Sequence, residues 1–175
     1  MLILFFVSGI VARDTYNYFK SCRAWNRALA NFASDKEKSL MQLKSLYPVL
    51  ENNPVFLTTY GKMLAFSEHH PEAIAVLEKA VERLPFSTSY IELGKSHEAE
   101  GFLEKATYCW KHAGWIVPSR FAPLYLTMKL HFKNGEYGAA REYAERLLMK
   151  KIKIDHPEID LMKREAMEIL NFHPP

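Results

Sequence analysis

Apolar residues recur at helical spacing along almost the whole chain, and the alternation typical of a strand is nearly absent. The one strand-like stretch, KKIKI at 150–154, is five residues long and has no evident pairing partner. Residues that typically begin or end helices fit the same pattern: Asn53-Pro54 predicts a helix start, while Gly101 and Gly135 predict helix ends. The sequence therefore predicts nine helices and no strand, an all-α fold.

Two more helix starts are predicted from capping-box spacing. Ser34 precedes Glu37 by three residues, and Asp155 precedes Glu158 by three. We therefore expect Ser34 and Asp155 to be N-caps, the second of an amphipathic helix that runs to Leu170.

The middle of the chain contains an internal repeat. A glycine is followed by alanines 12 and 19 residues later and by a proline 24 residues later, and the same four residues return 33 positions further on. The positions are Gly61, Ala73, Ala80 and Pro85 in the first copy, and Gly94, Ala106, Ala113 and Pro118 in the second. A double match at one period is far outside chance for ordinary composition. It indicates stacked copies of one structural unit.

This spacing resembles the tetratricopeptide repeat, a helix-turn-helix unit of about 34 residues. In such a unit the glycine and the first alanine let its two helices approach closely, and the second alanine leaves room for the next unit. The proline ends the second helix. The resemblance implies a right-handed α-solenoid of tetratricopeptide helix-turn-helix repeats.

The repeat register divides the chain into segments. Two well-formed repeats span 54–86 and 87–120, and a degenerate third spans 121–154, with Met128 at the glycine position and Ala140 retained. Residues 13–53 are interpreted as a divergent N-terminal hairpin, and 155–175 as a capping helix and tail that close the last hydrophobic face.

The first twelve residues, MLILFFVSGIVA, are nearly all apolar but too few to cross a bilayer alone. Three interpretations of 1–12 stay open: the buried end of the first helix, the distal half of a membrane helix that begins upstream of Met1, or a poor signal peptide.

Three runs go beyond a generic repeat: SLYPVLENNPVFLTTYGKML at 45–64, VPSRFAPLYLTMKLH at 117–131 and LLMKKIKI at 147–154. They resemble the extramembrane C-terminal tail of O-antigen ligase or polymerase-like bacterial membrane proteins. The resemblance implies a parent protein of the bacterial inner membrane that handles lipid-linked glycans, with the repeat domain in the periplasm. The basic flank of the apolar run, which begins at Arg13, favours the cytoplasmic side instead.

Charge and cysteine content exclude several classes. Lys and Arg number 23 against 20 Asp and Glu, a formal net charge of +3, and the two signs are interspersed, so we expect no nucleic-acid partner. Cys22 and Cys109 are far apart and belong to no CxxC pair, which gives no support for a disulfide framework or a cysteine zinc site.

No catalytic motif is evident, so we expect a chain that is not an enzyme and that has no cofactor and no metal. The adjacent His69 and His70 fall at a predicted turn, and Cys109 with His112 lacks a second ligand pair. His97 and His131 occupy equivalent repeat positions and are expected in the core or at its edge.

One surface pattern favours ligand binding. A lysine follows the glycine position of each repeat, and aromatic residues are expected nearby on the concave face. The predicted ligand-binding residues are Lys62, Lys95, Lys129, Phe66, Tyr125 and Phe132. Such a groove fits a protein or peptide partner, or an anionic glycan or lipid-linked glycan. The alternative is that the lysines are ordinary solvated residues.

The sequence thus predicts a non-catalytic scaffold that presents a binding groove, as the tail of a membrane glycan ligase or polymerase. The alternative is a free-standing adaptor that binds a peptide of a soluble partner. If the chain is such a tail, we expect a membrane-embedded part of the protein to precede these residues and to attach them to the membrane.

Overall fold

The computed structural model describes residues 2–152 and 156–173, with side chains from residue 12 onward. Within these residues the chain is all-helical and contains no strand, as the sequence predicts. The helices are α1 (Leu2–Asn31), α2 (Lys36–Leu50), α3 (Pro54–Phe66), α4 (His70–Arg83), α5 (Ser87–Ala99), α6 (Leu103–Ile116), α7 (Ala122–Lys133), α8 (Tyr137–Met149) and α9 (Pro157–Asn171).

Helix ends follow local chemistry. Asn53 caps α3 by accepting hydrogen bonds from the amides of Val55 and Phe56, and Pro54 is the first helical residue, as predicted. Gly101 and Gly135 follow α5 and α7 with φ of 79° and 76°, the left-handed conformation that ends a helix.

The predicted cap at Ser34 is wrong by one residue. Asp35 is the N-cap of α2, because its carboxylate accepts the amide of Lys38 at 3.0 Å. The Ser34 hydroxyl instead donates to the carbonyl of Asn31, 2.8 Å away at the end of α1.

The final helix begins one residue later than predicted. His156 is the N-cap of α9 and accepts the amide of Glu158 through Nδ1 at 3.3 Å. Asp155, the predicted cap, lies outside the described residues.

The chain forms two compact units, divided between Leu84 and Pro85. In the first, α3 and α4 pack tightly because Gly61 faces the side chain of Leu77. A Cβ at Gly61 would lie 2.5 Å from Leu77 Cγ, well inside van der Waals contact. Trp25 of α1 packs edge-on against Phe56 of α3, which joins the N-terminal hairpin to this pair.

The second unit, α5 to α9, repeats this contact. A Cβ at Gly94 of α5 would lie 2.3 Å from Nε1 of Trp110, which is fully buried on α6 and donates to the carbonyl of Ile91. Ala73, Ala80, Ala106 and Ala113 are all fully buried in their helices. Small residues therefore stand where the two helices of a repeat need near-backbone contact.

The third repeat has a large apolar side chain, that of Met128, at the glycine position. Met128 of α7 is fully buried in a cluster with Ala140, Ala144 and Leu147 of α8. Ala166 and Ile169 of α9 belong to the same cluster, so the last helix covers the apolar face of α8.

From Leu2 onward the apolar N-terminal run forms the start of α1, which continues unbroken to Asn31. Side chains of 2–11 lie outside the described residues, and residues 12–20 are exposed. No helix within the described residues has the length and hydropathy needed to span a membrane.

Candidate functional site

A groove of about 920 Å³ opens in the second unit between α5, α7 and α9. Its apolar lining comes from Phe132, Leu161, Ile169 and Phe172, and its charged lining from Glu98, Lys129, Lys133, Arg164, Glu165 and Glu168. A cavity of this size, with apolar walls and several charges, has the dimensions of a ligand or peptide site.

The charged side of the groove is organised by three side chains from α7 and α9. Tyr125 donates its hydroxyl to Glu165 Oε2 at 2.9 Å, and Lys129 Nζ lies 3.2 Å from both the Tyr125 hydroxyl and the same carboxylate oxygen. Lys129 also lies 5.2 Å from the centre of the Tyr125 ring. This network holds α9 against α7.

The network shifts the pKa of two of its members. The pKa of Lys129 is raised, first because the Tyr125 hydroxyl accepts its hydrogen bond and then through Glu165, while burial opposes the rise. The pKa of Tyr125 is raised mainly by burial, with Glu165 adding to the rise and Lys129 opposing it. Both groups therefore keep their protons at neutral pH.

The apolar end of the groove is an aromatic cluster. Phe132 packs edge-on against Phe172 at a centroid distance of 5.0 Å and against Tyr137 at 5.5 Å. Arg141 fixes the segment after α9 by donating to the Phe172 carbonyl at 2.6 Å. The groove wall is thus built by packing across three helices.

Lys133 and Arg164 differ from Lys129. In the part of the chain that the structure describes, neither has an ion-pair or hydrogen-bond partner, although both line the groove. These two cations are available to a ligand without displacing an internal carboxylate.

The six predicted ligand-binding residues fall in different surroundings. Lys129 and Phe132 line the groove, and Tyr125 anchors Lys129 beside it. Lys95 is on α5 outside the groove lining and pairs with Glu92 at 3.3 Å.

The other two predicted residues, Lys62 and Phe66, belong to α3 of the first unit. Lys62 is exposed, and Phe66 is 64% exposed with its ring edge-on to Phe32 and Lys36 Nζ 4.6 Å from its centre. The two lie one turn apart on the same helix.

Sequence reasoning missed Lys133, Arg164 and Glu165 as groove residues. Arg164 and Glu165 come from the helix that was expected only to cap the array, so no repeat spacing marks them. Lys133 follows Lys129 by four residues on α7, and this spacing was a usable signal.

Three of the seven histidines, His97, His112 and His131, pack among other side chains. His97 is buried, while His131 stacks on Tyr143 at the core edge and contacts Glu136 at 2.5 Å, as expected for core or core-edge groups. His112 is packed against Tyr108, Tyr90 and Trp115. Among the described residues no group of three or more His, Cys, Asp or Glu side chains could hold a metal ion.

No protein-family profile and no curated protein sequence matches the chain. Several solved structures do superpose on it. A crystal structure of MamA protein superposes with a TM-score of 0.69 at 16% identity, over 89% of this chain and 88% of that one. MamA from Desulfovibrio magneticus RS-1, residue 41 to the end, gives 0.68 at 15% identity, over 83% of this chain and 76% of that one.

A putative kinesin light chain of Podosopora anserina, described as having nearly identical TPR-like repeats, superposes with a TM-score of 0.57 at 16% identity, over 91% and 92% of the two chains. At these identities the likeness concerns the fold. The chain has the all-α, tetratricopeptide-like repeat fold that its glycine and alanine spacing predicts.

Proposed function

We propose that this chain is a non-catalytic binding module whose groove between α5, α7 and α9 takes a peptide segment of a partner protein. The observation that carries the proposal is the combination, in one groove, of an aromatic and aliphatic lining with charged side chains that have no ion pair among the described residues. These are the cations Lys133 and Arg164 and the carboxylates Glu98 and Glu168. Repeat folds of this type commonly use such surfaces for peptides.

The expected occupant is a peptide with acidic side chains beside an apolar one. Its carboxylates would meet Lys133 and Arg164, and its apolar side chain would rest on Phe132 and Phe172. An anionic glycan, free or lipid-linked, supplies the charge and can place a sugar face on an aromatic ring, but an apolar side chain matches the aliphatic lining of Leu161 and Ile169 better than a sugar does. We therefore favour a peptide over a glycan.

The test is selection of peptides from a random displayed library against the full chain. We expect enrichment of peptides in which Asp or Glu neighbours Leu, Phe or Ile. Lys133→Glu with Arg164→Glu should weaken the selected peptides by about tenfold or more, since two charge-assisted contacts become repulsive.

The matched control places the same charge reversal elsewhere in the second unit, at the exposed residues Lys105 and Lys151. We expect this control to change affinity by less than about threefold, as rim charges do. Equal weakening by the two variants, or selection of peptides without acidic residues, would refute the assignment of the groove.

We further propose, as the parent of this module, an O-antigen ligase or polymerase-like protein of the bacterial inner membrane, with the repeats on the periplasmic side. The support is sequence alone: the runs at 45–64, 117–131 and 147–154, and the apolar run at 1–12. The free-standing adaptor is the alternative. The gene sequence upstream of Met1 decides between them, because the membrane proposal requires hydrophobic spans that continue into residues 1–12.

A further inference from the structure

A second cavity, of about 380 Å³, lies in the second unit among α6, α7, α8 and the connection between α6 and α7. Its charged lining residues are Lys111, Arg120, Arg146 and Lys150, and none of its lining residues is acidic. It shares no lining residue with the groove proposed for peptides. The cavity is therefore a separate feature of the same unit.

The cationic groups are held in place by their neighbours. Arg120 donates to the Thr88 hydroxyl at 3.0 Å, and Lys150 donates to the carbonyl of Pro118. Arg146 lies over the ring of Tyr143, 5.0 Å from its centre, and is near enough to Lys150 to act on it. A partly ordered set of cations loses less side-chain entropy when a ligand binds than free lysines and arginines would.

Like charges held together at a cavity have an energetic cost. The pKa of Lys150 is lowered, first by burial and then by the positive charge of Arg146. The carboxylate paired with Arg146, that of Glu142, is 4.0 Å away and 70% exposed, so water weakens its effect. A bound anion would remove this repulsion.

We propose that this cavity is an anion site that binds the phosphate or diphosphate group of a ligand. The planar guanidinium groups of Arg120 and Arg146 match the oxygens of a phosphate, and Lys150 supplies a point charge. Several cations around one small cavity favour a multiply charged anion over a single carboxylate. Trp115, which is 62% exposed, lines the same cavity and offers a surface for the organic part of the ligand.

The test is isothermal titration calorimetry of the full chain with sodium diphosphate and with inorganic phosphate at low ionic strength. We expect diphosphate to bind, and to bind more tightly than phosphate. Arg146→Gln with Lys150→Gln should weaken diphosphate by about tenfold or more. Arg146→Lys keeps the charge but loses the fork, so its loss should be smaller than that of the double variant.

The matched control is Lys133→Gln with Arg164→Gln, which removes the same charge from the peptide groove of the same unit. We expect it to leave diphosphate binding within about twofold of the unaltered chain, because only distant screened charge is lost. Equal weakening by the control and the cavity variant, or no heat of binding for either anion, overturns the proposal. A negative result for the anion cavity does not count against the proposed peptide groove, since the two sites use different residues.

Phosphate groups occur on soluble molecules and on lipid surfaces, and one further arm separates them. The chain is sedimented with phosphatidylcholine vesicles with and without phosphatidic acid. Retention on the acidic vesicles that is lost in the Arg146→Gln, Lys150→Gln variant supports the site with a lipid source. Diphosphate binding without vesicle retention supports it with a soluble source.

Discussion

The turn inside each repeat places one residue in the left-handed conformation. Glu68, Gly101 and Gly135 follow α3, α5 and α7 with φ of 64°, 79° and 76°. They are separated by 33 and 34 residues, so they are the same position of the repeat. Two repeats fill it with glycine, and the first fills it with glutamate, which pays a steric cost there that glycine avoids.

We predict that Glu68→Gly stabilises the protein by about 1 kcal/mol, because the substitution removes the strain of a side chain at positive φ. The measurement is the midpoint of urea unfolding. The reverse substitution at the equivalent position, Gly101→Glu, should cost a similar amount. A loss of stability in Glu68→Gly would contradict the strain argument.

Gly94 tests the close contact between the two helices of a repeat. We predict that Gly94→Ala costs on the order of 1 to 3 kcal/mol, because its Cβ would lie 2.3 Å from the buried Trp110 ring. This loss outweighs the gain of up to about 1 kcal/mol in helix propensity.

Gly138 of α8 is the control, since a Cβ there meets no atom within 4 Å. Gly138→Ala should therefore be neutral or stabilising in the same urea measurement. Equal destabilisation by the two alanines would mean that the contact with Trp110 is not what selects glycine at position 94.

Sequence spacing predicted the glycine and alanine positions because close contact between the two helices of a repeat requires a small residue, and this requirement recurs once in every repeat. It failed at Ser34, where two adjacent residues, Ser34 and Asp35, could both cap the helix. The choice depends on where α1 ends, since the Ser34 hydroxyl is already bonded to Asn31. Local pattern does not contain that information.

The contact between helices α7 and α9 depends on the protonation of two side chains. Tyr125 and Lys129 have folded-state pKa values above the 10.0 and 10.5 of the free groups. The unfolded chain therefore loses these protons at lower pH than the folded chain. The stability that they contribute is complete below about pH 10 and is lost as pH rises through the folded-state values.

We predict that the melting temperature falls as pH rises above about 10, and that Tyr125→Phe makes this fall shallower. At neutral pH the same variant should cost about 1 kcal/mol for its lost hydrogen bonds. Thermal unfolding monitored by circular dichroism between about pH 8 and about pH 11 measures both effects. Tyr137→Phe is the control, because this tyrosine lies outside the network; an equal change of the pH dependence in both variants would exclude the network as its source.

The groove itself could not be predicted from the sequence. The spacing rule placed lysines on the first helix of each repeat, and Lys129 does line the groove. Its partner Glu165 is 36 residues away on α9, and nothing in local spacing indicates which face of α9 packs on α7. Long-range pairing of this kind is set by the whole core, so Lys95 and Lys129 have different neighbours despite equivalent repeat positions.

For the whole molecule, the N-terminal apolar run is expected to be dispensable for folding. Residues 12–20 of α1 are exposed, while Ala28 is fully buried. We predict that deletion of 1–12 leaves cooperative thermal unfolding intact and lowers aggregation measured by light scattering, because this sequence is nearly all apolar and apolar runs associate where water reaches them.

Ala28→Asp is the contrasting variant, because it buries a charge in the first unit and should cost several kcal/mol. A loss of stability on deletion of 1–12 as large as that of Ala28→Asp would show that the apolar run belongs to the core of the first unit.

The division into two compact units has a spectroscopic consequence. Trp25 belongs to the first unit, whereas Trp110 and Trp115 belong to the second. Within the second unit Trp110 is fully buried and Trp115 is 62% exposed, so their emission maxima should differ, and of these two a soluble quencher should reach only Trp115. Replacing Trp25 or the other two by phenylalanine therefore gives a fluorescence signal for each unit separately, without an added dye.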